Sequence, residues 1–147
     1  MIVAAIALIT FALVTRYWIK RTRDRRELER HSITPEELYR LQALNQEVLL
    51  FDVRLPLDLL ADSKIIPGAI RIPPKEVREN PALIPRDKDT IVYCTCPSDE
   101  TSRGILQKAL AMQFTRIKFL KGGLDGWKAK GYPVEPYTKS FRLDTAS

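Results

Sequence analysis

The chain has 147 residues, a length that suits one globular domain. Its 45% hydrophobic and 29% charged residues exclude a disordered or collagen-like protein, and two cysteines with one histidine exclude both a multi-disulfide scaffold and a four-ligand Cys/His zinc site. The net charge of +6 is unevenly placed, since residues 16–30 carry seven basic and three acidic side chains and leave only +2 for the rest of the chain.

The first fifteen residues, MIVAAIALITFALVT, carry no charged side chain. Extended to residue 19, they would form a helix about 28 Å long, close to the thickness of a bilayer core. Tyr17 and Trp18 suit the membrane interface, and the basic residues that follow place the remaining chain in the cytoplasm under the positive-inside rule. We therefore predict a transmembrane helix over 1–19 in a single-pass membrane protein. A buried core helix and a targeting segment are the alternatives, and the helix is either a lone anchor or the last helix of a longer membrane protein.

Residues 20–31, KRTRDRRELERH, are typical of a charged helix that links this span to a folded domain. Their basic side chains favour anionic lipid headgroups, by about 1 kcal/mol for each side chain near the surface. They are not interleaved with aromatic side chains, as a nucleic-acid-binding surface would require. The sequence therefore predicts membrane lipid as a partner and no nucleic acid.

The folded domain is predicted over 32–137, followed by a polar tail over 138–147. Its first helix begins in the run Thr34-Pro35-Glu36-Glu37, where threonine is the N-cap, proline lies in the first turn and glutamate completes a capping box. The next predicted elements are, in chain order, a buried strand at 47–53, a helical turn at 56–60, a Pro-Gly turn and short strand at 65–73, a helix at 75–80 and a loop at 81–89.

A second buried strand, at 90–94, precedes a helix predicted over 101–114 from the helical spacing of its apolar residues. A third strand covers 116–120, and a short helix over 124–130 ends at Gly131, a typical C-cap residue. Strands that alternate with helices predict an α/β fold, with a doubly wound, mostly parallel sheet and helices on both faces.

Two cysteines follow the strand at 90–94, in the run Cys94-Thr95-Cys96-Pro97-Ser98-Asp99-Glu100-Thr101-Ser102-Arg103. Sheets of this kind bind ligands at the carboxyl ends of their strands. There, loop N–H groups and a helix N-terminus stabilise a thiolate or an anionic substrate. The alternative is that either cysteine is a small core residue. A metal site lacks partners, because the only histidine, His31, lies in the linker.

The sequence resembles the rhodanese (sulfurtransferase) family from about Ile33 to Pro136. The resemblance rests on five segments in the family's order and spacing: ITPEEL at 33–38, Asp52-Val53-Arg54 at the end of a strand, IPGAI at 66–70, DKDTIVYC at 87–94 and LKGGLDGWKAKGYPVE at 120–135. Within the family it is most similar to the rhodanese tail of DedA-type membrane proteins. That tail has a similar YC-x-CP-x-x-E loop and follows a transmembrane helix with a basic collar.

The resemblance implies a five-stranded parallel sheet with a catalytic cysteine after the central strand. That cysteine takes sulfane sulfur from a donor (thiosulfate, a persulfide or a small thiol), holds it as a persulfide and passes it to a thiol acceptor, without metal or organic cofactor. Counted from the strand, the nucleophile is Cys94; counted back from the helix and the Gly-Gly pair, it is Cys96. Strand-end geometry favours Cys94. The candidates for binding substrate are Asp52, Arg54, Thr95, Ser98, Thr101, Ser102 and Arg103.

Several of these residues also have purely structural interpretations. Asp52 and Arg54 are expected to form an ion pair beside the site. Positive φ angles are expected where the sequence turns at Gly68, Gly122 and Gly123, and Trp127 is expected to pack in the core.

The loop departs from the family's pattern. The usual loop glycine and arginine are missing, Asp99 and Glu100 occupy the loop, and Pro97 removes an N–H donor. Lys64 lies where the family often has a histidine. Acidic residues oppose thiolate formation and repel anionic donors, which makes thiosulfate a poorer expected partner than a protein-bound persulfide or a small thiol. Two functions follow: a membrane-anchored sulfurtransferase on the cytoplasmic face, or a non-catalytic rhodanese-like module that docks on or regulates a membrane partner.

Overall fold

The structure is a computed structural model, and the parts of the chain that it describes are residues 2–95, 100–141 and 143, without the side chains of residues 2, 3 and 100–103. The chain divides into two units, residues 1–30 and residues 31–147.

A single long helix, α1 (Ile2–Arg30), forms the first unit. It runs without a break from the apolar segment of the sequence into the basic segment. The large apolar side chains between Ile6 and Ile19 are 53% to 70% exposed. Among the residues that the structure describes, no helix combines the length and apolar character needed to cross a membrane, so the predicted span finds no support there.

The second unit is built on a parallel sheet. Within the described residues its strands are, in chain order, β1 (Ser32–Ile33), β2 (Leu49–Asp52), β3 (Lys64–Ile65), β4 (Ile70–Arg71), β5 (Thr90–Tyr93), β6 (Ile117–Leu120) and β7 (Glu135–Pro136). Five of them form one parallel sheet in the order β1-β6-β5-β2-β4. The remaining two, β3 and β7, pair antiparallel as a separate ribbon. The predicted α/β fold with a five-stranded parallel sheet is confirmed, and β5 is its central strand.

The helices of this unit lie close to their predicted positions. They are α2 (Pro35–Ala43), α3 (Pro56–Ala61), α4 (Pro74–Glu79), α5 (Glu100–Ala111) and α6 (Gly123–Ala129), with a short 3-10 turn at Pro81–Leu83. The predicted capping box of α2 is present, since Glu37 N–H donates to the Thr34 hydroxyl and the Glu37 carboxylate accepts from Thr34 N–H. The α5 helix ends before Phe114, because Gln113 adopts a left-handed φ of 63°.

The core explains why β5 appears in the sequence as an uninterrupted apolar run. All four β5 residues are buried, as expected of a central strand covered on both faces. One side of the core contains Leu38 of α2, Leu50 of β2 and Trp127 of α6. The indole of Trp127 is fully buried and donates to the carbonyl oxygen of Pro133 at 2.8 Å, which confirms its predicted place in the core.

Candidate active site at the carboxyl edge of the sheet

Cys94 lies at the centre of the sheet's carboxyl edge. It follows directly on β5 and is 1% exposed. On one side, β2 continues alongside it, with Val53 N–H donating to the carbonyl oxygen of Tyr93 at 3.0 Å. The thiol is therefore carried by the most enclosed strand of the fold, at the edge where parallel sheets bind ligands.

A glycine turn packs against the backbone of Cys94 from the other side. Gly122 and Gly123 have φ angles of 71° and 53°, and the N–H of Leu124 donates to the Cys94 carbonyl oxygen at 3.0 Å. A Cβ atom at Gly123 would lie 1.7 Å from that oxygen. This position therefore needs glycine for its φ angle and for the close approach, and the predicted positive φ angles are confirmed here and at Gly68.

A buried ion pair lies beside the cysteine. Arg54 donates from Nη2 to Asp52 Oδ2 at 2.6 Å and from Nε to Asp52 Oδ1 at 3.0 Å, and both side chains are 0% exposed. The same guanidinium donates to the carbonyl oxygens of Asp62 and Lys64, each at 2.8 Å. The predicted ion pair is confirmed, and its enclosure favours a structural role for these two residues over direct contact with substrate.

Tyr93 joins this network to β5. Its hydroxyl donates to Asp52 Oδ2 at 3.2 Å and accepts from the N–H of Ile66 at 3.2 Å. Burial, followed by the charge of Asp52, raises the pKa of Tyr93 far above its ordinary value, so the hydroxyl stays protonated. Burial also opposes the charge on Arg54, but the hydrogen bonds and charge of Asp52 outweigh it and raise the pKa of that guanidinium.

The structure describes only some of the other predicted site residues. Thr95 is half-buried at the start of the loop. Cys96 and Ser98 lie outside the described residues, as do the side chains of Thr101, Ser102 and Arg103, whose backbone belongs to α5. Within the described part of the chain, no three His, Cys, Asp or Glu side chains are grouped as metal ligands.

Sequence reasoning missed two residues of this region, Tyr93 and Arg71. Tyr93 was counted only as a strand residue, although a buried tyrosine hydroxyl normally needs a partner, and that requirement was the available signal. Arg71 stands in an otherwise apolar run and ends the edge strand β4, where its guanidinium donates to the carbonyl oxygen of Asp52.

Replacing Asp52 by asparagine would leave the buried charge of Arg54 without its counter-ion. We expect Asp52→Asn to lower the free energy of unfolding by about 3–5 kcal/mol, as when one partner of a buried pair is removed. The matched control is Asp89→Asn, which breaks the exposed pair with Arg116 and is expected to cost about 0–1 kcal/mol. Urea unfolding of the full chain, followed by circular dichroism, compares the two; equal losses would contradict the structural role given to the buried pair.

Alanine substitutions at two glycines distinguish the free energy lost through the close approach from the free energy lost through a left-handed φ. A Cβ at Gly131, where φ is 73°, meets nothing within 4 Å, so Gly131→Ala is expected to cost about 1–2 kcal/mol of backbone strain. Gly123→Ala adds a collision with the Cys94 carbonyl oxygen and is expected to be clearly the more destabilising. It should also increase the reaction rate of Cys94 with a thiol reagent. Similar stabilities and thiol reactivities for both variants would show that the turn does not hold Cys94.

The comparisons with known proteins agree with this geometry. The sequence profile described as rhodanese-like domain matches residues 34–130. A rhodanese-related protein from Thermoplasma volcanium is 30% identical, with a TM-score of 0.59 over 71% of this chain and 97% of that one. A protein from Lactobacillus plantarum is 22% identical, with a TM-score of 0.65 over 79% of this chain and 97% of that one, and shares the fold. So does the rhodanese-like domain of an Anabaena protein, at 22% identity and a TM-score of 0.61 over 80% of this chain and 83% of that one.

No curated protein matches the chain. The profile match covers most of the second unit, and its two ends fall at the N-cap of α2 and just after α6. The glycine turn and the cysteine that ends β5 both lie within it. The chain belongs to the rhodanese-like domain family.

Proposed function

We propose that this chain is a sulfurtransferase that carries sulfane sulfur as a cysteine persulfide, anchored by its N-terminal segment to a membrane and facing the cytoplasm. The observation that carries the proposal is the placement of Cys94 at the carboxyl end of the central strand, with its backbone held between β2 and the glycine turn. Covalent catalysis requires a nucleophile held in a defined position.

The proposed reaction has two balanced half-steps. The cysteine thiolate attacks the outer sulfur of a donor R–S–S⁻, a sulfur–sulfur bond forms to the cysteine as the donor's own bond breaks, and R–S⁻ leaves. An acceptor thiolate R′–S⁻ then attacks the transferred sulfur, leaves as R′–S–S⁻ and regenerates the cysteine thiolate. Sulfur moves between thiols, so neither step needs a metal or an organic cofactor.

The second candidate is a non-catalytic module that docks on or regulates a membrane partner. It is favoured by the burial of Cys94, because a cysteine that is 1% exposed also fits a purely structural core position. The acidic loop and the missing loop arginine point the same way. The two candidates differ in whether either thiol accepts sulfur.

Persulfide formation tests the proposal directly. We expect the full chain to gain about 32 Da, one sulfur atom, on treatment with a small-thiol persulfide and to lose that mass on addition of excess thiol. Cys94→Ser and Cys96→Ser, measured in parallel by intact-mass spectrometry, identify the nucleophile as the cysteine whose loss abolishes the gain. Thiosulfate is expected to load the chain more slowly than the persulfide.

A different result would favour the docking module. If no donor adds sulfur to the chain, or if each single variant still gains and releases it, neither cysteine is a dedicated carrier.

Membrane anchoring is supported by the N-terminal segment. The first fifteen residues carry no charge, and the large apolar side chains from Ile6 to Ile19 are exposed around the helix. A helix that is apolar on all faces is typical of a segment covered by lipid or protein. The basic residues that follow favour the cytoplasmic leaflet. An apolar helix followed by basic residues also precedes the rhodanese tail of DedA-type membrane proteins. We therefore include a relationship to those tails in the proposal.

Charged substitutions in α1 test the anchor. The full chain, reconstituted into vesicles of neutral and anionic lipid, is expected to resist extraction with alkaline carbonate. The double variant Leu8→Arg, Phe11→Arg should be released, because each arginine at the centre of a membrane helix costs about 2.5–3.5 kcal/mol.

The control double variant places the same charges on the second unit. Leu57 and Leu60 of α3 are 62% and 59% exposed, so Leu57→Arg, Leu60→Arg should leave extraction unchanged. Release of the unsubstituted chain, or equal behaviour of the two double variants, would overturn the anchor.

A further inference from the structure

The arginine that ends the edge strand lies in the row of residues directly before the proposed nucleophile. The pairing register places Arg71 of β4 opposite Asp52 of β2, and Asp52 opposite Tyr93 of β5. These three residues form one row across the carboxyl edge of the sheet, and Cys94 is the next residue after the row. Arg71 therefore lies at the edge where a ligand of Cys94 would enter.

The guanidinium of Arg71 is only partly used by the protein. Its Nη1 donates to the carbonyl oxygens of Asp52, at 3.1 Å, and Ile72, at 2.7 Å. Its Nε is buried and has no hydrogen-bond partner among the described residues. A buried donor of a charged group that lacks a partner raises the free energy of the folded protein, so an acceptor bound to Nε–H would be stabilising.

The charge of Arg71 is also not neutralised by a carboxylate within the described residues. The carboxylate of Asp52, whose charge acts on Arg71, is already engaged by Arg54 and by the hydroxyl of Tyr93. Burial, together with the charge of Arg54, outweighs the attraction of Asp52 and lowers the pKa of Arg71. An anionic acceptor would therefore offset both the unmet hydrogen bond and the uncompensated charge.

We infer that Arg71 recognises the carboxylate of a small-thiol sulfur donor whose sulfur reaches the cysteine after β5. The inference rests on the proposed sulfur transfer and names the class of donor. A guanidinium binds carboxylates through paired N–H donors, and Nε–H is half of such a pair.

The hydrogen bond of Arg71 to the neighbouring strand shortens the distance that this donor has to span. Nη1 lies 3.1 Å from the carbonyl oxygen of Asp52, and Asp52 lies one strand spacing, about 5 Å, from Tyr93. A thiol persulfide whose carboxylate is several bonds from its sulfur has the reach to contact both this guanidinium and the thiol beyond Tyr93.

Two donors that differ only in charge provide the test. The persulfides of N-acetylcysteine and of N-acetylcysteine amide are compared as donors to the full chain, with the initial rate of the gain of about 32 Da followed against donor concentration. We expect Arg71→Met to raise the donor concentration that gives half-maximal loading, the apparent KM for the acidic donor, by about tenfold or more. That loss is typical of one charge-assisted hydrogen bond. The maximal loading rate and the kinetics with the amide donor should not change. Arg71→Lys, which keeps the charge, should recover part of the effect.

Arg116 provides the matched control. It precedes β6 and so lies at the opposite, amino edge of the parallel sheet, where it pairs with Asp89. Arg116→Met should leave both donors unaffected. A merely structural role for Arg71 would lower the rates with both donors alike, and that result, or an unchanged KM for the acidic donor, would overturn the inference.

A binding measurement separates this inference from the proposed reaction. In the chain carrying both Cys94→Ser and Cys96→Ser, calorimetry is expected to detect N-acetylcysteine binding that Arg71→Met weakens, with no binding of its amide. If no chain gains sulfur but this difference in binding persists, sulfur transfer fails and the anion site stands. If sulfur is transferred but Arg71→Met does not change the binding of N-acetylcysteine, the proposed reaction stands and the anion site at Arg71 is overturned.

Discussion

The buried charge of Arg54 is the constraint on which the site depends. A guanidinium removed from water is tolerated only when it is paired with a counter-ion and its donors are satisfied. Asp52 provides the charge, and the carbonyl oxygens of Asp62 and Lys64 accept further hydrogen bonds. These hydrogen bonds connect the end of β2 to the turn that leads into β3. Tyr93 extends the same network to β5, one residue before the cysteine.

The glycine turn supplies the second constraint, from the opposite side of β5. Because Gly123 lacks a side chain, the start of α6 approaches the Cys94 carbonyl oxygen closely enough to donate a hydrogen bond to it. The backbone of Cys94 is thus held by β2 on one side and by this turn on the other. A residue held on such a base has a defined position, and functional sites are commonly built where a rigid scaffold positions a loop.

The distribution of charge at this edge differs from the pattern that the family resemblance implies. In the sequence after the cysteine, Asp99 is followed by Glu100, which begins α5. The charge of Arg71, by contrast, belongs to an edge strand and is not neutralised by a carboxylate within the described residues. In the proposed reaction the donor's carboxylate would contact Arg71 while its sulfur contacts the cysteine, so the charge of the donor would matter as well as its sulfur.

Local patterns in the sequence were enough to predict most of the fold. The capping box at Thr34 and Glu37 marks the start of α2, and the apolar run that became β5 marks a strand buried on both faces. The two-residue strands β1, β3 and β7 are not predicted from the sequence. Segments so short show no periodicity and exist only through pairing, of β1 with β6 and of β3 with β7. The α1 helix was predicted as two segments, since composition changes at residue 20 while helical hydrogen bonding does not.

By itself, the sequence determined the α/β class, the family resemblance, the cysteine at a strand's carboxyl end and the ion pair of Asp52 with Arg54. The class and the resemblance follow from the order of elements and motifs along the chain, and the cysteine's place and the ion pair follow from residues that are near one another in it. Only the tertiary structure decided that Tyr93 bonds to Asp52, that Gly123 lies against Cys94, and that Arg71 has a buried donor without an acceptor in the described chain. These three depend on strand order and register, which bring together residues far apart in the chain and which no local pattern specifies.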